Sequence, residues 1–367
     1  MPEAMVNHAD LLNFAKEVMV KLGASTEDAF VVADNLVTSN LRGIDSHGVG
    51  RLKRYVEGIK SGYIIPDAKP TVLRESPVMA SIDAGNGLGQ PAGVFGMRKA
   101  IDKALDTGVG VVTVSGSNHY GFAGYYAMMA LEHDLIGISM TNAEPLVVPT
   151  FGRDAMLGTN PIAFAAPTKT MRPWVMDLAT SVVPSGKLEV YDRLGKKIPD
   201  GWATDETGAS TNDPARVLSS LFDGRGEGGI FPLGGEGEIH GGHKGYGLAT
   251  MVEILCGVMS GANFGRDVVY RKDGRPNHPR VGHFFLALDP SYFIDIDTFK
   301  SRMDELITRL RSSKKASGQN RVFVHGEKEF EEQDRRLKQG IPLDAKTVEK
   351  LTQFSIEFQV PLRFVSS

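Results

Sequence analysis

Apolar residues recur at helical spacing through the first sixty positions of the chain. Over 9–22 they return every three or four positions, which predicts an amphipathic helix. Ser25, followed three residues later by Asp28, resembles a capping box and predicts the start of a second helix. A third helix is predicted over 51–61, where the pattern ends at a glycine. The amino-terminal part of the chain is therefore expected to be helical.

The hydrophobic pattern changes at about residue 71, where short β-branched runs separated by Gly and Pro replace the helical spacing. These runs predict strands at 78–83, 110–115, 136–141, 146–149, 162–166 and 174–178. Helical spacing returns between them, over 91–106 and 121–134. Strands interleaved with helices favour an α/β domain with a mixed sheet.

Residues 205–242 are rich in Gly, Asp and Glu, and this composition predicts a long loop region. After it, the pattern predicts a helix at 245–260, a strand at 281–289 and helices at 298–311, 327–339 and 344–353. We therefore expect a helical domain formed by both chain ends, residues 1–74 plus 290–367. An α/β domain, residues 75–289, is expected to be inserted between them.

Composition narrows the classes of partner. With 41% hydrophobic and 23% charged residues among 367, the chain is typical of a globular protein. Its net charge of -3 gives no electrostatic reason to expect a nucleic acid or an anionic membrane as partner. The one cysteine, Cys256, cannot form an intrachain disulfide, which fits a reducing compartment. No secretory signal or run of about 20 apolar residues is present, so we expect a cytoplasmic protein.

His119 is the first candidate for chemistry. It lies in the run SNHYG, where the strand predicted at 110–115 is followed by the helix predicted at 121–134. An imidazole titrates near neutral pH and can therefore accept or donate a proton during catalysis. A histidine that only caps the helix is the alternative interpretation.

A second cluster of polar residues joins the second and third predicted helices. It contains the hydroxyl of Ser46, the imidazole of His47 and, five residues after the serine, the guanidinium of Arg51. Such an arginine can hold a carboxylate through two parallel hydrogen bonds. Capping of a helix by Asp45 or Ser46 explains the same residues equally well. A Ser-His hydrolase can be drawn from this pair, but the chain lacks a nucleophile elbow around Ser46.

Two further segments place polar groups next to predicted strands, one just before a strand and one at the end of a strand. Gly158-Thr159-Asn160-Pro161 precedes the strand at 162–166 and can direct Thr159 and Asn160 into a cleft, or form an ordinary turn. The run that begins at Asp177 follows a strand, and the carboxyl ends of strands commonly face ligands in α/β folds. A helix cap explains its hydroxyls as well.

Glycines surround Lys244 just before an apolar helix, in GGHKGYG. Backbone N–H groups there can approach an anion, and the lysine adds a positive charge; a flexible linker is the alternative. The run GNGLG at 85–89 imitates a dinucleotide fingerprint, but its third glycine comes one residue early, which argues against a Rossmann domain. His240 and His243 have no companion ligands, so we expect no metal site.

Five motifs in this order resemble one family. DSHGVGR, SNHYGFA, GTNPIAFAAP, MDLATS and GGHKGYGLATMVEILCGVMSGA are similar to segments of the type-2 malate/L-lactate dehydrogenases. This family includes malate, sulfolactate and ureidoglycolate dehydrogenases and cyclic-imine reductases. The resemblance spans nearly the whole chain. It implies NAD or NADP as cofactor, a mixed-sheet cofactor domain unlike the Rossmann fold, and a homodimer with the site near the subunit interface.

The resemblance also implies roles for individual residues. His119 or His47 would handle the proton with Ser46 as relay, and Arg51 would hold the substrate carboxylate. Thr159 and Asn160 would line the substrate and the nicotinamide. The residues implied to contact the cofactor are Tyr120, Asp177, Leu178, Ala179, Lys244, His325, Gly326 and Glu327. The last three stand where the family usually has Pro-Gly-Glu, and 205–242 is longer than usual, which weakens the inference at those contacts and near Lys244.

The resemblance leads to a hypothesis of reversible hydride transfer between the nicotinamide and C2 of a small 2-hydroxy acid, with malate as the leading substrate. Lactate, sulfolactate or ureidoglycolate dehydrogenases and a cyclic-imine reductase are the alternatives within the family. A ligand-sensing protein without turnover is the alternative outside enzymology. The choice between NAD and NADP stays open, because the residue beside the ribose is not identifiable from the sequence.

Overall fold

A seven-stranded mixed sheet holds the middle of the chain together. The computed structural model describes residues 4–222 and 226–364. The strands are β1 Ala4–Val6, β2 Thr71–Glu75, β3 Met79–Asp83, β4 Val109–Ser117, β5 Ile136–Thr141, β6 Ile162–Ala166, β7 Trp174–Leu178, β8 Ala203–Thr204, β9 Ser210–Thr211, β10 Gly229–Ile230, β11 Arg271–Lys272, β12 Arg275–Pro276, β13 Val281–Leu288 and β14 Ile341–Leu343. The strand order of the large sheet is β2-β3-β4-β13-β5-β6-β7.

Only the β3–β4 pair of this sheet is parallel; the other neighbours are antiparallel. The predicted mixed sheet of an α/β fold is therefore confirmed. The last strand in sequence, β13, lies between β4 and β5 at the centre. Alternating residues of the central strands, such as Val112, Val114 and Phe285, are buried under the helices.

The described helices are α1 His8–Lys21, α2 Thr26–Leu41, α3 Leu52–Ser61, α4 Gly89–Thr107, α5 Gly124–Met129, α6 Ser185–Arg193, α7 Pro214–Phe222, α8 Gly242–Val252, α9 Ile296–Arg311, α10 Glu327–Gln339 and α11 Ala345–Phe358. The cap of α2 is the one that the sequence indicated, because the Ser25 hydroxyl accepts a hydrogen bond from the Asp28 N–H at 3.1 Å.

Both ends of the described chain share one apolar core. Residues of α1, α2 and α3 pack with α11, and β1 pairs antiparallel with β14. The predicted helix at 298–311 behaves differently: the carboxylate of Asp304 on α9 accepts hydrogen bonds from the backbone N–H groups of Lys169 and Thr170, at 3.1 and 2.9 Å. This helix therefore lies against the segment between β6 and β7.

The prediction of a long loop over 205–242 is wrong in part. Helix α7 lies inside it and buries Val217 and Leu221 against α6 and the short strands β8 and β10. The strand predicted at 146–149 is also wrong: Val147 makes only isolated bridges, since prolines at 145 and 149 limit the ladder. Among the described residues, no helix combines the length and apolar character needed to cross a bilayer.

The helix predicted at 245–260 begins as α8 and continues as a π-helical turn over Glu253–Val258. Gly282 of β13 permits this close approach, because a Cβ there would overlap the backbone carbonyl of Cys256. The irregular turn therefore packs directly on the central strand of the sheet.

Candidate active site

His119 is fixed by the backbone that leads out of β4. The side-chain amide of Asn118 donates hydrogen bonds to the carbonyls of Asn86 and Gly87, at 3.0 and 2.9 Å, and so anchors the preceding residue. Gly121 then reverses the chain with φ of 83° before α5 begins. His119 therefore stands at the rigid junction between strand and helix that the sequence predicted.

The hydrogen bonds of the His119 ring fix its chemistry. The Tyr55 hydroxyl lies 2.8 Å from Nδ1, and the Gly121 N–H donates to the same nitrogen at 3.3 Å. Because a backbone N–H can only donate, Nδ1 acts as an acceptor and the ring proton lies on Nε2 in the neutral imidazole. The Nε2–H is the group left to serve a ligand.

The second cluster lies on two short 3₁₀ turns, Asp45–His47 and Val49–Arg51. The Ser46 hydroxyl lies 3.0 Å from Nδ1 of His47, and Arg51 donates from Nε to the backbone carbonyl of Ser46 at 2.7 Å. These bonds orient the imidazole and leave the terminal nitrogens of the Arg51 guanidinium for a ligand.

The carboxylate of Asp45 anchors the loop that carries Ser46 and His47. Asp45 accepts hydrogen bonds from Nη1 and Nη2 of Arg336, at 2.6 and 2.9 Å, and from the side-chain amide of Asn40 at 2.6 Å. Asn40 in turn accepts a hydrogen bond from the Val49 N–H at 2.8 Å. The loop that carries Ser46 and His47 is thus tied to both α2 and α10.

The fold brings the two histidines together although 71 residues separate them along the chain. Their rings stack, with centroids 5.6 Å apart and planes inclined by 17°. They line a cavity of about 180 Å³. Its other lining residues include Ser46, Arg51, Arg54, Tyr120, Glu144, Thr159, Ser185, Gly186, Glu189 and Tyr270.

Burial and positive neighbours keep both imidazoles neutral. Loss of solvent, with further repulsion from Arg51 and Arg54, lowers the pKa of His47 to about 4. Burial lowers the pKa of His119 well below its usual value, and the charges of Arg54, His47 and Arg51 act in the same direction. Both rings are therefore uncharged at neutral pH in the free protein.

Among the cavity residues that the sequence did not single out are Arg54, Glu144 and Tyr270. Arg54 lies over the ring of Tyr270, 4.2 Å from its centroid, and Glu144 lies close enough to stabilise the positive charge of Arg54. Burial raises the pKa of Glu144. Arg54 was accessible to sequence reasoning, since it follows Arg51 by three residues and shares its side of the helix. Glu144 and Tyr270 lie in irregular segments, and no pattern marks them.

The candidate substrate residues differ in their surroundings. Thr159 lines the cavity. The amide of Asn160 is held below it, where Oδ1 accepts a hydrogen bond from the Ala143 N–H at 3.1 Å and Nδ2 donates to the Ala249 carbonyl at 3.0 Å. Tyr120 borders the cavity but is buried, with its ring stacked on His283 at a centroid distance of 4.5 Å.

A second group of candidate residues lies at the end of β7. The carboxylate of Asp177 accepts a hydrogen bond from the Gly124 N–H at 2.6 Å, and Leu178 ends the strand before Ala179. Burial raises the pKa of Asp177 to about 6, although the hydrogen bond from Gly124 and the charge of Arg42 act in the opposite direction. This segment is connected to His119 through the short stretch 120–124.

The turn at His325, Gly326 and Glu327 packs beside β7. The Val175 N–H donates to the His325 carbonyl at 3.4 Å, and the His325 ring meets the Trp174 ring edge-on. Glu327 is buried and pairs with Arg311 at 2.8 Å and with Arg321. The carboxylate of Glu327 is thus engaged within the protein, whereas the turn as a whole lies next to the strand that ends at Asp177.

Lys244 is not brought to the histidine cavity. It is exposed on the first turn of α8 and lines a separate surface cavity of about 350 Å³, together with His240 and Leu248. Among the described residues, no group of three or more His, Cys, Asp or Glu side chains is arranged to hold a metal ion.

The groups between His119 and β7 fit a dinucleotide. Asp177 provides a carboxylate of the kind that binds ribose hydroxyls. Nε of Arg42 and both amide atoms of Asn35 are buried without a partner. A Cβ at Gly121 would overlap the Asn35 amide, so this stretch requires glycine. A carboxylate, a buried arginine and a tight backbone path are thus grouped around the stretch that follows His119.

Comparison with known proteins decides the family. A model described as malate/L-lactate dehydrogenase matches residues 6–352. The chain belongs to this family. The resemblance drawn from the five motifs is therefore confirmed, and the protein is an oxidoreductase, a dehydrogenase of the hydroxy-acid type.

Individual relatives are similar to this chain over almost its full length. The dehydrogenase is 49% identical over 346 residues to a malate dehydrogenase of Pyrococcus abyssi, covering 94% of this chain and 92% of the relative. It is 40% identical to a malate/(S)-sulfolactate dehydrogenase of Methanothermus fervidus, covering 94% and 96%. The malate dehydrogenase structure from Entamoeba histolytica superposes with a TM-score of 0.94 at 38% identity, covering 99% and 100%.

Proposed function

We propose that this dehydrogenase transfers a hydride between NAD or NADP and C2 of a 2-hydroxy acid, with malate and oxaloacetate as the substrate pair. The observation that carries the proposal is the cavity in which two neutral, stacked imidazoles meet the guanidinium of Arg51. Proton exchange and carboxylate binding are the two functions that such a reaction requires of the protein.

His119 is the group that we assign to the proton. When a bound anionic substrate favours the imidazolium form of His119, the ring can pass its Nε2 proton to the carbonyl oxygen of a 2-oxo acid as that oxygen becomes a hydroxyl, and the ring returns to the neutral state. Tyr55, hydrogen-bonded at Nδ1, then stabilises the ring through the transfer. His47, oriented by Ser46, is the alternative proton donor, because it faces the same cavity.

Arg51 is assigned to the C1 carboxylate of the substrate. With Nε held by the Ser46 carbonyl, its remaining nitrogens form the planar fork that suits a carboxylate. Fixing that end of the substrate turns C2 toward one wall of the cavity, which is mainly an effect of orientation. Thr159 lines the same cavity, and Asn160 supports it from below.

A bound nicotinamide supplies the hydride acceptor or donor for this reaction. We assign its binding to Tyr120, Asp177, Leu178 and Ala179, with the turn at 325–327 beside them. Lys244 faces another cavity in the isolated chain. Its contact with a cofactor phosphate is therefore proposed across a subunit interface.

We infer that the dehydrogenase is a homodimer with the site near the interface. A row of exposed apolar residues on α8 and the following π-helical turn supports this: Leu248, Met251, Ile254 and Val258. We also propose that residues 1–74 and 290–367 form one domain around the core shared by α1, α2, α3 and α11, with α9 lying against the other domain, residues 75–289. The free, buried thiol of Cys256 favours a cytoplasmic location.

A grid of substrates and cofactors tests the proposed function. Oxidation of NADH and of NADPH is measured with oxaloacetate, pyruvate, a 2-oxo sulfonate and a cyclic imino acid, and the reverse reaction is measured with malate and ureidoglycolate. We expect the highest kcat/KM with oxaloacetate. Turnover of the cyclic imine without turnover of any 2-oxo acid would instead identify an imine reductase, and turnover of nothing would reject the proposal.

A further inference from the structure

Two guanidinium groups face one small cavity. Arg51 is the N-cap residue of α3 and Arg54 follows three positions later, so both lie on the same side of the helix start. Both line the cavity that holds His47 and His119. One arginine is sufficient to hold the carboxylate that every 2-hydroxy acid carries, so the second requires its own explanation.

The positive charges of Arg51 and Arg54 repel each other, because both side chains are held beside the same cavity. The pKa of Arg51 is lowered by burial and, next, by the charge of Arg54. Glu189 and Glu144 are the acidic residues of the cavity, and burial of Glu144 opposes its ionisation. Two anionic groups of one ligand, one beside each guanidinium, would offset the repulsion between the two arginines.

Arg54 is anchored by an aromatic ring. Its guanidinium lies over the Tyr270 ring, at 4.2 Å from the centroid, and this stacking fixes the plane of the fork, with Glu144 near enough to act on its charge. Arg51 is fixed differently, through Nε and the Ser46 carbonyl beside His47. The two forks are therefore independently anchored. Arg54 also borders a neighbouring cavity of about 750 Å³, which gives the far end of a substrate room.

We propose that Arg54 binds the second acidic group of the substrate, so that the site selects 2-oxo and 2-hydroxy acids with two anionic ends over those with one. The inference rests on the proposed function, since it takes Arg51 as the ligand of the C1 carboxylate. The inference adds Arg54 as the residue that determines specificity at the other end of the substrate. A sulfonate fits the same fork as a carboxylate, because both present several acceptor oxygens to planar N–H donors.

Substrate discrimination by an Arg54→Gln variant tests the proposal. The ratio of kcat/KM for oxaloacetate to kcat/KM for pyruvate should fall by about 10- to 100-fold, the effect of losing one charge-assisted hydrogen-bonded pair. Arg54→Lys should restore part of the ratio because it keeps the charge. Lys60→Gln is the matched control, since it removes a charge from a half-exposed position on the same helix that lines neither cavity and should leave the ratio unchanged.

Binding without turnover provides a second readout. We expect calorimetry to measure tighter binding of succinate than of butyrate to the wild-type protein and an equal, weak affinity for both in Arg54→Gln. Equal losses for the mono- and the dianion, or an unchanged preference, would overturn the proposal. A wild-type protein that prefers succinate but reduces no 2-oxo acid would instead refute the proposed function and leave the role of Arg54 intact. Circular dichroism confirms that each variant is folded.

Discussion

The stacked histidines form a pair whose charge states depend on each other. Protonation of His47 opposes protonation of His119, because their rings lie 5.6 Å apart and each repels a charge on the other. Arg51 and Arg54 add to this repulsion. A bound anion offsets this repulsion and therefore favours protonation of the pair. Substrate binding and proton supply are coupled in this way at the level of single residues.

Replacing the histidines separates their roles. We expect His119→Ala or His47→Ala to lower kcat for oxaloacetate reduction by about 100-fold or more, because a general acid is lost. His119→Gln should remain impaired, since an amide replaces the imidazole without its proton exchange. Steady-state kinetics measures the effect, with exposed His133→Ala as the control. Near-normal rates in both variants would remove the proton role from this pair.

Asp177 gives the protein a distinct dependence of stability on pH. Its folded-state pKa is raised from 3.8 to about 6, so folding favours the protonated form. The stability that this proton contributes is fully present below the unfolded pKa and is lost as the pH rises through about 6. Asp177→Asn should therefore gain about 1–3 kcal/mol of unfolding free energy over the wild type between pH 4 and pH 8.

Urea unfolding at several pH values measures this gain. Exposed Asp106→Asn on α4 is the matched control and should follow the wild-type profile. If the curves for Asp177→Asn and the wild type run parallel, burial does not perturb this carboxyl. The affinity for NADH or NADPH, measured on the same proteins, tests the proposed cofactor contact separately.

At the scale of elements, α10 positions the loop that carries His47. Arg336 is buried and joins its guanidinium to Asp45 and to the Asn40 carbonyl. Arg336→Met should lower the unfolding free energy by roughly 2–3 kcal/mol, because charge-assisted hydrogen bonds are lost. It should also lower kcat/KM by roughly 10-fold, since the catalytic loop loses its anchor.

Chemical denaturation and kinetics on one preparation test both effects of Arg336→Met. Lys338→Gln, at an exposed position near the end of the same helix, should change neither quantity. A variant that is destabilised but retains full kcat/KM would show that the Ser46–His47 loop needs no support from α10.

Elements with a strong local pattern could be predicted from the sequence. The strands at 136–141, 162–166 and 174–178 and the helix at 327–339 have the predicted bounds. Helix α6 was missed because it buries only Leu188 and thus carries almost no periodic signal. Helix α7 was missed because the Gly-rich sequence around it suggested a loop. Local pattern dominates where one face is continuously apolar, and it fails in short elements packed by distant partners.

The candidate site was predictable to the extent that motifs mark single residues. The sequence identified Ser46, His47, Arg51 and His119. Because 71 residues lie between the two histidines, however, it gave no sign that their rings would stack. Asn160 could not be distinguished from a ligand-facing residue, because its hydrogen bonds run to backbone groups of Ala143 and Ala249. Such partners become visible only in three dimensions.

At the scale of the whole molecule, the apolar row on α8 and the π-helical turn is the surface that we assign to self-association. Ile254 and Val258 expose 51% and 57% of their surface. Ile254→Glu should convert the dimer to a monomer, since it places a charge in an apolar contact. Light scattering coupled to gel filtration measures the mass, which should halve.

Leu105→Glu, at an apolar and similarly exposed position on α4, is the control and should stay dimeric. A wild-type protein that runs as a monomer, or an Ile254→Glu variant that keeps twice the chain mass, would contradict this assignment. Activity of the monomeric variant would further decide whether the partner subunit completes the site.

The position of β13 has a consequence for biosynthesis. Until residues 281–288 leave the ribosome, the strand that joins the two parts of the native sheet is absent, and β2-β3-β4 and β5-β6-β7 each have an open inner edge. The nascent polypeptide must keep these two edges from pairing with other chains while more than a hundred residues after β7 are translated. Strand β13 then pairs with β4 and β5 in one late, long-range step. The period before this step is when exposed strand edges would most need protection by chaperones.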